Sequence, residues 1–308
     1  MIRRVLVAAV VAGLAATPAN AYFEELGIGA RGLALGLGYG AMVSDASAHY
    51  WNPAALTNLR QPEGTADYAK PYSLSDLNAG AISLAAPLGA QGVALGWHHL
   101  GLTDTYSEDL FTVAAARRVY RDHAGHTLSA GLAYKLGRIA FQSFRDPVSS
   151  VAVNYGSIAR SSLDAGLLWQ TPWSFDVGWV ARDLLEPRYE FVHGTGGQRL
   201  VTRQELSAAV HWNPESTILF GWAQSASGPG SITAGLEVTF FNVFAIRSSI
   251  ANLTRITESY GSPNDLELNG GFGVFHKGYY VDATATTDHD LGASYRVSLR
   301  APLPGSAH

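Results

Sequence analysis

The stretch SLDAGLLWQTPWSFDVGWVAR, Ser162 to Arg182, decides the fold. In its first half Leu163, Ala165, Leu167 and Trp169 fall on one face, with Asp164, Gly166 and Gln170 on the other. After a Thr-Pro turn, Trp173, Phe175, Val177, Trp179 and Ala181 oppose Ser174, Asp176, Gly178 and Arg182. Period two is the mark of a strand with one apolar face. Aromatic residues flank each apolar set, as the interfacial girdle of a membrane barrel requires.

The same pattern runs outward in both directions. ELSAAVHWN and SITAGLEVTF repeat it, with Glu205, Ser207, His211, Ser231, Thr233 and Glu237 on the polar side. About fourteen such segments follow residue 64, centred near 68, 83, 95, 113, 131, 166, 177, 208, 220, 235, 247, 271, 282 and 295. The first, GTADYAKPY, alternates poorly and contains Pro71. A tilted spanning strand needs ~9–11 residues, and the chain offers about 20 per strand and connection.

The connections alternate in length. PLGAQ, TP, PE, FN and KG are tight turns after segments two, six, eight, ten and twelve, and YRDHAG after segment four is only slightly longer. Between them lie stretches such as 137–160, 183–203 and 252–265. Outer-membrane barrels have this asymmetry, with short periplasmic turns and long external loops. A soluble sandwich or propeller has no reason to gather its long loops at one end. An even strand count returns both chain ends to the periplasmic side.

Composition agrees. Charged residues make up 15% of the chain, against roughly 25% in ordinary soluble domains. Glycine is abundant at 33 of 308 residues, cysteine is absent, and Lys70, Lys135 and Lys277 are the only lysines. Without disulfides, an exported chain of this length holds itself by packing or closed hydrogen bonding. The first 21 residues read as a secretory signal peptide: MIRR, an apolar run from Val5 to Ala16, and Ala19-Asn20-Ala21 as cleavage site. Its removal takes Arg3 and Arg4, leaving 19 basic against 25 acidic residues, so nothing suggests nucleic acid as a partner. No other apolar run approaches the ~18 residues of a membrane helix.

The stretch GYGAMVSDASAHYWNPAAL, Gly38 to Leu56, fits neither period. Gly32, Gly36, Gly38 and Gly40, with Ala34 and Ala41, make a chain able to pack closely inside a lumen. Asn52-Pro53 initiates a turn, and Pro53 suits the first turn of a short helix containing Ala54, Ala55 and Leu56. ARGLALGLGYGAMVSDASAHYWNPAAL resembles the amino-terminal signature of the FadL-like outer-membrane superfamily: a glycine-rich Arg-x-Leu run, Asp-x-x-Ala, then Asn-Pro-Ala. ITAGLEVTFFNVFAIRSSI, NGGFGVFHKGYYVDATAT and LGASYRVSLR are similar to the closing strands of its PorV/PorQ-type branch. The resemblance covers nearly all of the chain after the signal peptide, strongly at both ends and loosely over 60–160.

That resemblance implies an all-β, transmembrane antiparallel barrel of about fourteen strands with an amino-terminal hatch in its lumen. It carries the hatch onto Arg31, Gly36, Asp45, Asn52, Pro53 and Ala54. The expected division is 1–21 signal peptide, 22–63 hatch, 64–301 barrel and 302–308 tail. Three departures stand out: Ala46 where a second acid commonly follows the hatch aspartate, Tyr295 where the last strand often has His, and a PLPGSAH end in place of a terminal aromatic.

Alternation puts Asp164, Asp176, Glu237, Arg247, Glu267, Asp282, Arg296 and Arg300 in the lumen, since Arg or Lys on the lipid face at mid-bilayer costs ~2–4 kcal/mol. Pairing of Glu237 with Arg247 and of Asp282 with Arg296 is expected across neighbouring strands, fixing the hatch and closing the lumen. His98 and His99 point to opposite faces, and His123 and His126 lack further ligands, so no metal site is expected. Asp288 and Asp290 in TDHD suit a solvated outer loop better than calcium. No nucleophile motif singles out a Ser–His pair, and the Gly36–Gly40 run lacks a dinucleotide-site context, so neither enzyme nor cofactor is expected.

The expected location is the bacterial outer membrane, with lipid as surroundings. By the family resemblance the expected work is transport of a hydrophobic small molecule. The alternative is a non-enzymatic, partner-binding barrel of a secretion or surface-attachment system, docking a secreted or periplasmic protein through the long loops, where RIAFQSF and PRYEFVHG carry aromatics, or through the periplasmic face.

Overall fold

Alternation with an apolar outer face forces strands to pair all the way round, because hydrocarbon offers no partner to a free backbone N–H or C=O. The computed structural model describes residues 27–145, 152–153, 155–191, 197–225, 230–253, 266–288 and 291–304. Residues 1–26, which include the expected signal peptide, and the last four residues lie outside them.

Fourteen antiparallel strands form one closed barrel: β1 (Glu63–Lys70), β2 (Leu77–Leu88), β3 (Gln91–Leu102), β4 (Tyr106–Arg121), β5 (Thr127–Phe141), β6 (Ser157–Gln170), β7 (Phe175–Arg182), β8 (Arg203–Asn213), β9 (Ser216–Ser225), β10 (Ser231–Phe240), β11 (Phe244–Ala251), β12 (Glu267–His276), β13 (Tyr279–Asp288) and β14 (Gly292–Pro302). Each strand pairs with its sequence neighbours, and β1 closes onto β14 from Glu63 opposite Pro302 to Lys70 opposite Tyr295. Every segment centre read from the alternation falls within one of these strands. Pro71 ends β1, because it has no N–H to donate, and Pro71–Ser73 turns as a 3-10 helix.

At one barrel end the connections are two to five residues long. Lys277 and Gly278, both with positive φ (50° and 85°), form the primed two-residue turn that matches strand twist. The other end carries 142–156, 183–202 and 252–266, but also the three-residue links 103–105 and 289–291. The length asymmetry therefore holds for the long loops and not for every outer link. Small two-stranded ribbons lie within two of the long loops, Phe144–Arg145 with Ala152–Val153 and Arg188–Tyr189 with Gln198–Arg199. Two-residue strands leave no periodic signal, and the sequence reading contained neither.

The outward face carries large apolar side chains exposed on every side, among them Leu84, Leu95, Val113, Leu132, Phe220, Leu236, Phe272 and Val297. A continuous apolar exterior of this extent suits hydrocarbon, not water. Among the described residues no helix is long and apolar enough to cross a membrane.

The inward face is built of small residues, and the core lies there. Residues 27–58 run inside the barrel as α1 (Ala30–Leu35), a 3-10 turn (Gly36–Ala41), α2 (Ala48–Trp51) and a second 3-10 turn (Pro53–Asn58). The α1 helix packs on β10–β14, the first 3-10 turn on β7–β11, α2 on β3 and β4, and the second 3-10 turn on β2–β6. Leu35, Tyr39, Val43, Ala54 and Leu56 are fully buried against Ala81, Ala94, Ala114, Ala133, Leu168 and Leu219 of the wall.

Close approach of inner backbone to wall backbone explains much of the glycine content. A Cβ on Gly131 of β5 would lie 2.5 Å from the Ala54 nitrogen, and one on Gly166 of β6 would lie 2.4 Å from Asn52 Oδ1. No other residue fits without moving the inner segment.

Two predictions follow from the two faces. Val113→Arg, near the middle of β4 on the lipid side, is expected to destabilise the barrel folded in lipid vesicles by ~2–4 kcal/mol in a denaturant titration. A change near zero would place that face outside hydrocarbon. Gly131→Ala is expected to leave the barrel closed, as read by unheated gel mobility, while speeding hydrogen exchange at residues 48–58 by the equivalent of about 1–3 kcal/mol. Unchanged exchange there would contradict the packing of Ala54 against β5.

Candidate functional site

The inner segment is tied to the wall by side chains, and the Asn52-Pro53-Ala54 turn shows how. Asn52 is fully buried, and its Oδ1 accepts the Ala54 N–H at 3.0 Å, capping the Pro53–Asn58 turn. Its Nδ2 donates to the Gly40 carbonyl and to the Leu167 carbonyl of β6, both at 3.1 Å. One amide thus holds two parts of the inner segment and the wall. Pro53 occupies the first position of the turn, where its missing N–H costs nothing. Thr57 donates to Ser129 of β5 at 2.8 Å, and His49 Nε2 shares a hydrogen with Ser83 of β2 at the same distance.

Ionic ties complete the ring. Arg31 grips Glu237 of β10 with two bonds of 2.7 and 2.9 Å. Asp45 accepts from Tyr39 Oη at 2.6 Å and from the Ser47 N–H at 2.9 Å, and lies 3.7 Å from Arg300 of β14. The guanidinium of Arg300 also sits 3.4 Å above the Tyr280 ring. At the position where the resemblance would place a second acid, the Ala46 N–H donates to Glu63 of β1 at 2.9 Å. Gly36 has φ 69°, and a Cβ there would strike Thr233 of β10 at 2.3 Å.

Within the wall, Glu237 and Arg247 stand opposite each other and pair at 2.5 Å, as their positions on β10 and β11 predict. The expected Asp282–Arg296 pair does not form. Register puts Asp282 opposite Ser298, and Arg296 two residues further along. Asp282 instead pairs with Arg247 at 2.5 Å, and Arg296 pairs with Asp67 of β1. Gly273 on the intervening strand is the reason: a Cβ there would lie 2.2 Å from Asp282 Oδ1 and 2.6 Å from Arg247 Nη1. Its missing side chain opens the path between strands β11 and β13.

A second charged cluster sits toward the long-loop end. Lys135 lies between Asp164 and Asp183 at 2.8 and 2.7 Å. Arg182 holds Glu205 with two bonds of 2.8 and 3.0 Å and donates to the Tyr50 carbonyl of the inner segment at 2.6 Å. At the opposite, short-turn end Asp176 meets His211 at 3.3 Å, while at the outer rim Glu267 accepts from Asn252 at 2.7 Å. Sequence reasoning missed Lys135, Asp67, Glu63 and the Arg182–Tyr50 tie. Lys135 stands among small inward residues of a clean strand, which was a readable signal; Asp67 and Glu63 lie in or beside the poorly alternating first segment.

His98 faces inward and His99 outward, where His99 Nδ1 meets Asp109 at 2.9 Å. Of the TDHD motif, His289 and Asp290 lie outside the described residues. In the outer loop, hydrogen bonds from Thr202, then the nearby Arg199, hold the Glu186 carboxyl below its ordinary range. Of the loop aromatics, Phe141 packs against Tyr106 and Phe191, each at 4.9 Å, while Tyr189 is buried with its hydroxyl toward the Gly137 carbonyl. Residues 192–194 of PRYEFVHG lie outside the described residues.

The inner segment separates cavities at the two ends. On the long-loop side a cavity of about 400 Å³ lies over Leu33, Leu37 and Trp51, and another of about 300 Å³ lies over His49 and Tyr50. On the short-turn side a wider vestibule of about 840 Å³ is lined by Arg31, Met42, Asn58, Arg60, Glu237 and Arg300, among others.

No protein-family model matches this sequence, and no curated protein matches it either. Solved structures do share the architecture. The Ralstonia pickettii toluene transporter TbuX aligns over 91% of this chain and all of its own, with TM-score 0.60 and 9% identity. A Pseudomonas aeruginosa FadL homologue aligns over 89% of this chain and 98% of its own, with TM-score 0.59 and 11% identity. The monoaromatic hydrocarbon channel CymD aligns over 91% and 100%, with TM-score 0.57 and 13% identity. The likeness covers about nine-tenths of this chain, and at these identities it is a likeness of fold.

Proposed function

We propose that this chain is an outer-membrane conduit for a small hydrophobic molecule, with residues 22–63 acting as its hatch. The observation that carries the reading is that cavities at the two barrel ends are divided by a segment that belongs to no sheet: among the described residues, 27–58 pair with no barrel strand. Their ties to the wall are side-chain hydrogen bonds and ion pairs, which break and re-form without opening the barrel. An apolar exterior fits the outer membrane. The fold is shared with proteins described as a toluene transporter and a monoaromatic hydrocarbon channel, which supports a hydrophobic cargo.

Within that fold, assignment to the PorV/PorQ-type branch rests on the closing strands, where Gly235-Leu236-Glu237, Arg247, Tyr280, Asp282 and Arg296 stand in the expected order. In this reading Arg31, Asp45, Asn52, Pro53 and Ala54 hold the hatch shut, and Glu237, Arg247, Asp282, Arg296 and Arg300 are its receiving frame. Gly36 lets it turn beside β10. Asp164, Asp176 and Glu267 keep the lumen polar.

One observation favours a second reading, a barrel that docks a protein at its periplasmic face. Trp173, Trp212 and Phe241 are 64%, 74% and 87% exposed at three successive short turns. Aromatics at that level also serve as a lipid-interface girdle.

The test uses a reversible lock. The chain has no cysteine, and a Cβ on Gly40 would lie 3.6 Å from that of Ser207, within the span of a disulfide at roughly 3.5–4.5 Å. Gly40→Cys with Ser207→Cys should abolish uptake of radiolabelled toluene by cells carrying the barrel when oxidised, and regain it on reduction. Full cross-linking with undiminished uptake would eliminate the moving hatch. Absence of uptake by the unmodified protein would leave the docking reading.

A further inference from the structure

The two outer cavities, about 400 and 300 Å³, lie side by side over the inner segment. They meet at four residues that line both: Tyr50 of the inner segment, Arg182 of β7, Arg203 of β8 and Ser225 of β9. Apart from these, the larger cavity is walled by β8 to β14 and β1, and the smaller by β3 to β6 and the outer loop. Among the described residues, Tyr50 is the one part of the inner segment that borders both.

Tyr50 is held in place by both its ring and its backbone. The ring centroid lies 4.8 Å from Arg182 Cζ, and the Tyr50 carbonyl accepts from Arg182 Nη1 at 2.6 Å. The other two nitrogens of that guanidinium are taken by Glu205 at 2.8 and 3.0 Å, so the cation itself is fixed. A planar guanidinium lies against an aromatic ring while its edge donates, which a lysine could not reproduce. Trp51 also meets the ring edge-on at 5.4 Å, and its own indole N–H is pinned to the Ile28 carbonyl at 3.0 Å.

We infer that the clamped Tyr50 ring partitions the outer half of the lumen and sets the length of cargo that this chain passes. The inference rests on the conduit reading and names the residue that selects within it. An apolar cavity of roughly 150 Å³ takes one benzene, so each chamber holds about two to three ring volumes and the two joined about four to five. With the ring in place, a molecule longer than one chamber leaves part of its apolar surface in water. Without the ring it lies across α2 and buries its whole length, and hydrophobic stabilisation grows with the area buried.

The linings on either side fit a molecule that crosses. Leu100, Leu110, Leu200 and Val201 give the smaller chamber an apolar zone, and Leu33, Leu37 and Trp51 give the larger one an apolar floor. Of the four shared residues only Tyr50 separates these zones from below. Arg203 and Ser225 belong to the wall, and Arg182 is 4% exposed, so its removal would strand the buried Glu205 carboxylate. The Tyr50 ring can be cut back without breaking an ion pair.

The test measures uptake of radiolabelled toluene and 1-phenyldecane by cells carrying the unmodified barrel, Tyr50→Phe, Tyr50→Leu or Tyr50→Ala. Barrel closure is checked by unheated gel mobility, and the rate in cells lacking the barrel is subtracted. The unmodified protein and Tyr50→Phe are expected to take up toluene at least tenfold faster than phenyldecane. Tyr50→Ala should raise phenyldecane uptake at least fivefold while toluene stays within twofold, and Tyr50→Leu should fall between. Loosening of the whole inner segment would raise both cargoes alike, and that result, or an unchanged ratio, would overturn the inference. Equal uptake of the two cargoes by the unmodified protein would do the same. A Tyr50→Phe that behaves as Tyr50→Ala would assign the effect to the hydroxyl and count against a partition by the ring. Absence of toluene uptake from all four proteins would instead remove the conduit reading and its selector together, an outcome distinct from uptake with unaltered selectivity.

Discussion

A sheet in hydrocarbon has no tolerance for an edge, and the pairing of β1 with β14 from Glu63–Pro302 to Lys70–Tyr295 is the contact on which everything else depends. Closure makes the exterior continuous and apolar and creates an interior that must be filled or hydrated. β1 is also the strand with the weakest alternation. It compensates from inside, where Asp67 receives Arg296 of β14 and the Gly29 N–H, and Glu63 receives the Ala46 N–H. The closing seam and the inner segment therefore stabilise one another at the same residues.

Filling the lumen with backbone dictates the wall's composition. Inner turns approach so closely that a Cβ on Gly131, Gly166 or Gly221 would lie within 2.5 Å of the Ala54 nitrogen, Asn52 Oδ1 or the Leu37 Cβ, respectively. Alanine lines much of the remainder. Large residues are displaced outward, where lipid accepts them. The glycines of the inner wall are the imprint of one segment packed against many strands.

Much of this was legible because membrane strands are governed by a strict rule. Period two placed the strand centres and assigned Asp164, Asp176, Glu237, Arg247, Glu267, Asp282, Arg296 and Arg300 to the inward face. Partnership was less legible. Glu237–Arg247 followed from adjacency, but Asp282 reaches past Gly273 to Arg247, a choice set by an absent side chain on the strand between them. The Asn52 turn was readable as a turn, while its bond to the Leu167 carbonyl depends on how the segment is seated. The smaller outer cavity draws on residues from distant stretches, and no spacing joins them.

The ties of the inner segment are unequal, and their distribution bears on how it would move. Toward β10, β14 and β1 they are charged: Arg31 on Glu237, Asp45 near Arg300, and backbone N–H groups on Asp67 and Glu63. Toward β2, β5 and β6 they are neutral: His49 with Ser83, Thr57 with Ser129, and Asn52 with Leu167. Charge-assisted bonds are roughly twice as strong as neutral ones, and breaking a buried ion pair strands a charge. Neutral bonds contribute about 0.5–1.5 kcal/mol each. The half from His49 to Thr57 is thus the compliant one, restrained ionically only where Arg182 holds the Tyr50 carbonyl. It is also the half that floors the smaller outer cavity, through His49 and Tyr50.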